Sequence, residues 1–168
     1  GFSAKADAGD SSAMPEALQE NGEKPVILDL YCGVGTIGLY CADEAEQIIG
    51  IEIVKDAVLD ANRNAVVNGI VNARYICGKA EEILPLYAGQ KKDAGRTANQ
   101  KEDPSVKTDP NLAEAISRAR IAILDPPRAG CRPELLEVVI DLGVERIVYV
   151  SCDPATLARD IKFLGEHG

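Results

Sequence analysis

Residues 26–38 of the chain read VILDLYCGVGTIG, an apolar run that leads into a glycine-rich turn. The run Val26–Leu30 has the length and composition of a strand that is buried on both faces. Glycines permit a tight turn and a close approach of the backbone to a ligand, and a helix that begins at Thr36 offers free N–H groups. The stretch therefore predicts a strand, a binding loop and a helix in succession.

Outward from this stretch, strands and helices alternate along the chain. The predicted strands are Val26–Leu30, Gln47–Ile53, Ala73–Cys77, Ile121–Leu124 and Arg146–Ser151. The predicted helices are Thr36–Glu46, Lys55–Asn68, Ala80–Tyr87, Pro133–Leu142 and Pro154–Leu164, with a helical turn at Leu112–Arg118. Such alternation predicts an α/β fold with a mostly parallel sheet and helices on both faces. Ligands of such folds bind at the carboxyl ends of the strands.

The 168 residues fit one domain. We expect residues 1–24, rich in Ala, Gly, Ser and charge, to be flexible, and residues 25–168 to form the domain. Between residues 88 and 118 the sequence is dense in Lys, Asp, Gly and Pro, which predicts a surface insertion.

The composition argues against membrane contact, a metal site and unaided binding of a nucleic-acid backbone. No apolar run approaches the ~20 residues that span a bilayer, so we expect a cytoplasmic protein without membrane contact. The five cysteines form no C-x-x-C pair and the single histidine is His167, so we expect no metal site. The net charge of −9 has the wrong sign for a domain that binds a phosphate backbone by itself.

Two strand ends are suited to binding a nucleoside. Gly33, Gly35 and Gly38 are spaced as G-x-G-x-x-G, and Glu52 ends the second strand, where a carboxylate can hold two ribose hydroxyls. The same spacing occurs in nicotinamide-cofactor sites, and in turns that only pack a helix on a strand. The D-x-x-x-G-x-G pattern that begins at Asp29 resembles motif I of class I S-adenosylmethionine-dependent methyltransferases.

The fourth and fifth strands end in chemically capable residues. The fourth is followed by Asp125-Pro126-Pro127-Arg128, which either presents the carboxylate to a ligand or forms a rigid turn. The fifth is followed by Ser151-Cys152-Asp153-Pro154, a strong helix start. A thiol near a helix N-terminus gains thiolate character. The alternative is that Cys152 is a small residue in a tight corner.

Three stretches together resemble the RNA (uracil-5-)-methyltransferases, which make 5-methyluridine in transfer or ribosomal RNA. They are LDLYCGVGTIGL, ILDPPRAGC and IVYVSCDPATLARD. The resemblance implies a Rossmann-like class I methyltransferase fold, S-adenosylmethionine as cofactor and RNA as the substrate. It also implies the family's reaction, in which a cysteine adds to the 6-position of uracil and the 5-position then takes the methyl group.

The resemblance assigns roles to individual residues. Cys152 matches the nucleophile. Tyr31, Gly33, Gly35, Thr36, Glu52, Lys79 and Asp125 match positions that bind the cofactor. This sequence has Ser-Cys-Asp-Pro where the family usually has Asn as the third residue.

The resemblance also sets expectations for the chain as a whole. The family's general base is a glutamate well downstream of the cysteine, and Glu166 is too close to match it. We therefore expect a C-terminal catalytic fragment that lacks its last strands, binds cofactor and does not complete turnover alone. The competing hypotheses are a methyltransferase for a base nitrogen or a protein amide, a non-enzymatic cofactor-binding module, and a nicotinamide dehydrogenase.

Overall fold

A computed structural model of the protein describes residues 23–88 and 109–168. The strands in these ranges are β1 Val26–Leu30, β2 Gln47–Glu52, β3 Ala73–Cys77, β4 Ala119–Leu124 and β5 Arg146–Tyr149. The α-helices are α1 Thr36–Tyr40, α2 Lys55–Val67, α3 Ala80–Ala88, α4 Pro110–Ser117, α5 Pro133–Asp141 and α6 Pro154–His167. None of the helices in the described ranges combines the length and the hydropathy that crossing a membrane requires.

The five strands form one parallel sheet in the order β3-β2-β1-β4-β5. The chain builds the sheet from β1 to one side and then returns to build it to the other side. The strand order therefore changes direction between β1 and β4. In open α/β sheets this is where ligands bind, beyond the carboxyl ends of the strands.

Helices cover both faces of the sheet, as the alternation predicted. Within β1, Leu28 and Leu30 face a large core cluster that includes residues of α3, α4, α5 and α6. Ile27 faces a smaller cluster on the other side, against which Ile37 of α1 packs. Because both faces of the central strands are buried, these strands are apolar almost throughout. The predicted α/β class is confirmed.

The predicted surface insertion is wrong at its C-terminal end. Residues 110–117 form α4, and the side chains of Leu112 and Ile116 are fully or almost fully buried in the large cluster. Asp109 caps this helix by accepting a hydrogen bond from the N–H of Asn111. The helical turn predicted at Leu112–Arg118 is thus a helix of about two turns that packs on the core. Residues 89–108, and residues 1–22 of the segment expected to be flexible, lie outside the described residues.

Several element boundaries also differ from the prediction. Helix α1 ends at Tyr40 rather than at Glu46, and a short 3-10 helix at Ala42–Glu44 follows it. Strand β4 begins at Ala119 rather than at Ile121. Strand β5 ends at Tyr149 rather than at Ser151, because the Ser151 hydroxyl joins a turn with the backbone of Asp153. Helix α6 continues beyond Leu164 to His167, whose ring stacks on Phe163.

A buried carboxylate joins β1 to α1. Asp29 is 1% exposed, and its Oδ2 accepts a 2.9 Å hydrogen bond from the N–H of Gly38. Burial raises the pKa of Asp29 to about 6, and the charge of Asp125 adds to this, while the Gly38 hydrogen bond opposes it. The helix can approach this closely only because Gly38 has no side chain. A Cβ there would lie 2.6 Å from Asp29 Oδ2 and 2.9 Å from Ile48 Cγ2.

We predict that Gly38→Ala destabilises the protein by about 1–3 kcal/mol, because the added methyl group overpacks the contact between α1 and the sheet. Gly165→Ala is the matched control, since Gly165 lies in α6 with open space around it. There alanine should be neutral or stabilising by up to about 1 kcal/mol. Urea unfolding of both variants checks this, and equal effects would contradict the close packing at Gly38.

The raised pKa of Asp29 predicts a pH dependence of stability. The folded-state pKa of about 6 lies above the ordinary value of 3.8, so the folded state binds the proton more tightly than the unfolded chain. The folded state gains its full stabilisation from this proton when the pH is below 3.8, the ordinary pKa. That stabilisation is lost as the pH rises through about 6. Asp29→Asn mimics the protonated form, so its free energy of unfolding should rise relative to wild type between about pH 4 and pH 7. A difference that is constant with pH would contradict the prediction.

Candidate functional site

Four neighbouring strands end side by side with the candidate residues. In sheet order, β2 ends at Glu52, β1 leads into the loop of residues 31–35, β4 is followed by Asp125, and β5 is followed by Ser151 and Cys152. Because the sheet is parallel, all these residues lie at the same edge of the sheet, the one formed by the carboxyl ends of its strands. Lys79 follows β3, the outermost strand on the other side of β2, and lies farther along the same edge.

The first loop has a tight backbone with several left-handed residues. Tyr31, Gly33 and Gly35 have φ angles of 61°, 54° and 78°. The N–H of Gly35 donates to the carbonyl of Cys32 at 2.8 Å and closes the turn. A Cβ on Gly35 would lie 2.5 Å from the Tyr75 hydroxyl, whereas a Cβ on Gly33 would meet nothing within 4 Å. Gly35 is thus needed for packing beneath the loop, and the backbone at Gly33 is left open for a ligand.

Glu52 links this loop to the next one. Its Oε2 accepts a 3.0 Å hydrogen bond from the N–H of Gly33, and its Oε1 accepts a 2.8 Å hydrogen bond from the N–H of Val54. An ionised carboxylate has about four acceptor positions, so two remain after these contacts. The two backbone hydrogen bonds hold the carboxylate in a fixed orientation while leaving acceptors for a pair of hydroxyls.

Asp125 is exposed at the point where the strand order reverses. Its N–H donates to the carbonyl of Leu30 at 3.3 Å, which extends the pairing of β4 with β1 by one residue. Pro126 behind it is buried, and a turn closes from the N–H of Gly130 to the carbonyl of Pro127 at 2.8 Å. The carboxylate is therefore presented on a rigid loop.

The other three predicted cofactor residues have different surroundings. The hydroxyl of Tyr31 donates to Glu81 of α3 at 2.6 Å, and its ring packs against the large core cluster. Thr36 is exposed at the first position of α1. Lys79 is exposed and forms an ion pair with Glu82 at 2.7 Å. The structure thus directs the phenol of Tyr31 toward α3, and Tyr31 reaches the edge through its backbone.

The environments of the five cysteines leave two of them, Cys77 and Cys152, as possible nucleophiles. Burial raises the pKa of the Cys32 thiol to about 12 and that of Cys131 to about 11, and it also raises the pKa of Cys41. A thiol that stays protonated is a poor nucleophile. Cys77 and Cys152 are exposed, and of these two only Cys152 lies beside β4 and Asp125.

The carboxylate next to Cys152 caps α6. Asp153 Oδ1 accepts hydrogen bonds from the N–H groups of Ala155 at 2.9 Å and Thr156 at 3.2 Å. At the N-cap of α6 the carboxylate lies at the positive end of the helix dipole, which favours a negative charge there. The departure from the usual Asn at this position thus leaves the helix start intact.

Sequence reasoning missed a polar cluster that joins β5, α6 and the loop after β4. Asp160 is 2% exposed although it is charged, and it contacts Tyr149 and the backbone of Cys131. Burial, together with the hydrogen bond to Asp160, raises the pKa of Tyr149 above its usual range, so its hydroxyl remains a donor. The available signal was the spacing, since Asp160 lies four residues before the buried Leu164 on the inner face of α6.

No group of three or more His, Cys, Asp or Glu residues in the described part of the chain is arranged to hold a metal ion. The expectation that the protein uses no metal stays a prediction.

The chain is similar in sequence to several curated RNA methyltransferases. It is 41% identical over 153 residues to one of Bacillus cereus, which covers 91% of this chain and 28% of the relative. It is 38% identical over 154 residues to one of Lactobacillus johnsonii, covering 90% of this chain and 29% of the relative. Both are described as uncharacterized. The chain thus spans less than a third of the length of these relatives.

Solved structures share the fold. The Pyrococcus abyssi tRNA (uracil-54, C5)-methyltransferase, solved with S-adenosyl-L-homocysteine, superposes with a TM-score of 0.59 and 33% identity over 86% of this chain and 28% of that chain. The precorrin 8w decarboxylase of Methanobacterium thermoautotrophicum has a TM-score of 0.62 at 19% identity, over 90% of this chain and 67% of its own. The latter shows the fold alone, and together they confirm the predicted Rossmann-like methyltransferase architecture.

The family model described as tRNA (uracil-5-)-methyltransferase matches residues 14–167, which is nearly the whole chain. With the strand-end residues described above, this match leads to one conclusion: the chain belongs to the tRNA (uracil-5-)-methyltransferase family.

Proposed function

We propose that this chain carries the cofactor pocket and the nucleophile of an enzyme that methylates the 5-position of a uridine in RNA, with S-adenosylmethionine as the methyl donor. The observation that carries the proposal is the succession of Glu52, the first loop, Asp125 and Cys152 on adjacent strand ends. The family description and the Pyrococcus abyssi relative favour transfer RNA as the substrate class.

The edge of the sheet fits the cofactor. Glu52 keeps two acceptor positions suited to the ribose hydroxyls, and the open backbone at Gly33 allows close approach of a ligand. Asp125 lies on the other side of the loop, so its exposed carboxylate suits the positively charged end of the donor. We assign the main cofactor contacts to four residues: Gly33, Gly35, Glu52 and Asp125. Thr36 and Lys79 are exposed neighbours that we also assign to the pocket. Tyr31 contributes through its backbone. When bound, S-adenosylmethionine supplies an electrophilic methyl group.

Cys152 would activate the uracil by addition. The thiolate forms a bond from sulfur to C6, and the C5–C6 π electrons move toward O4 to give an enolate that is nucleophilic at C5. Methylation of C5 would leave S-adenosylhomocysteine. A base then removes the C5 proton and the C6–S bond breaks, which restores the C5–C6 double bond and the thiolate. The target uridine must leave its RNA context to reach this edge, as other base-modifying reactions require.

We predict that the 168-residue chain binds S-adenosylmethionine and that Glu52→Ala weakens binding about tenfold or more, because hydrogen bonds to a charged group contribute about 1.5–3 kcal/mol each. Glu46→Ala is the matched control, since Glu46 precedes the same strand and pairs with Arg118 at the opposite edge. It should leave the affinity unchanged. Calorimetry with NAD as a second ligand checks both points. Equal effects of the two variants, or preference for NAD, would contradict the assigned pocket.

We further predict that Cys152→Ala abolishes the covalent adduct between the complete protein and RNA that carries 5-fluorouridine. A base can remove a proton from C5 but not a fluorine. The adduct therefore persists and is seen on a denaturing gel and by mass spectrometry. Cys77→Ala is the control, because Cys77 is also exposed but follows β3. That variant should form the adduct normally. Formation of the adduct by Cys152→Ala would contradict the assignment of Cys152 as the nucleophile.

A further inference from the structure

Asp160 is the most deeply buried charged residue of α6, and four donor groups converge on its carboxylate. Oδ2 accepts hydrogen bonds from the N–H of Cys131 at 2.8 Å and from the Tyr149 hydroxyl at 2.5 Å. Oδ1 accepts from Nε of Arg159 at 2.8 Å and lies 2.7 Å from its Nη2. A buried carboxylate costs several kcal/mol unless it is paired and hydrogen-bonded, so this arrangement requires all its partners.

Arg159 extends the same contact to the loop after β4. Its Nη2 donates to the carbonyls of Ala129 at 2.9 Å and Cys131 at 3.3 Å. Gly130 between them has a φ of 76°, and a Cβ on it would lie 2.4 Å from Arg159 Nη2 and 2.5 Å from Asp160 Oδ2. The loop backbone therefore lies directly on the ion pair, and two adjacent residues of α6 form hydrogen bonds with the two loop residues that flank Gly130.

The residues of this network flank Cys152 in the sequence. Tyr149 is the last residue of β5 and precedes Cys152 by three positions, and Asp160 lies about two helical turns after the N-cap residue Asp153. The loop that Arg159 and Asp160 bind begins at Asp125. The network thus joins the segments on both sides of Cys152 to the loop that presents Asp125.

We propose that Asp160, with Arg159 and Tyr149, is a positioning residue for the addition step: it fixes the distance between Cys152 and the Asp125 loop, between which the uracil ring enters. This inference rests on the proposed function. We assign none of the three side chains a contact with the substrate. Their effect is geometric, and a misplacement of about 1 Å in a reacting group can cost about 100-fold in rate.

The test compares Asp160→Asn with Glu166→Gln. Both replace an acid by its amide on α6, but Glu166 forms only an exposed 3.7 Å ion pair with Lys162. In Asp160→Asn we expect the rate constant for adduct formation with 5-fluorouridine RNA to fall about 10- to 100-fold, at unchanged affinity for S-adenosylmethionine. Hydrogen exchange in the 168-residue chain should become faster both in residues 125–132 and in residues 150–157. Glu166→Gln should match wild type in all three measurements.

Two results would overturn the positioning role. One is a normal adduct rate in folded Asp160→Asn, and the other is faster exchange confined to α6, which would mean that the loop is held by other contacts. If Asp160→Asn does not fold, Tyr149→Phe, which removes a single hydroxyl, is measured in the same way with the same criteria. Wild-type protein that forms no adduct would overturn the proposed function and with it the role in addition. The exchange measurement would then still show whether the network couples the two segments.

Discussion

The parallel pairing of β1 with both β2 and β4 is the constraint on which the rest of the structure depends. It brings the ends of strands that are far apart in sequence to one edge, because parallel strands all run toward the same side. The register places Asp29 beside Gly50 on one side and Ile123 on the other. The first loop, Glu52 and the Asp125 loop consequently emerge next to one another. The site is a direct result of this strand order.

The central strand also contains the group that sets the path of the first loop. Asp29 is buried where an apolar residue would be expected, and it accepts a hydrogen bond from the N–H of Gly38 after the chain has turned through three left-handed residues. The loop is held from the other side by Glu52, through Gly33. Two carboxylates therefore fix the backbone, one in the middle of the loop and one in the helix that follows it, so the loop is shaped before any ligand arrives.

Carboxylates predominate at the ends of the three central strands, although Lys79 lies farther along the same edge. Asp29, Glu52 and Asp125 are associated with the ends of three adjacent strands, and the charge of Asp125 helps to raise the pKa of Asp29. Such an edge suits a ligand with positive charge, as the sulfonium and ammonium groups of the proposed methyl donor are. It suits a phosphate backbone less well. Binding of RNA would then depend on other surfaces of the complete protein.

The sequence by itself determined the elements, the α/β class and the residues that follow each strand, because these depend on local signals. Apolar runs, glycines at turns, and Asp153-Pro154 at a helix start act within a few residues of one another. Only the tertiary structure decided that α4 is buried, that the phenol of Tyr31 contacts Glu81, and that Asp160 binds the loop after β4. These contacts join residues that are tens of positions apart, and Arg159 and Ala129, for example, are separated by 30. A local sequence pattern does not identify such partners, because they become neighbours only when the sheet forms.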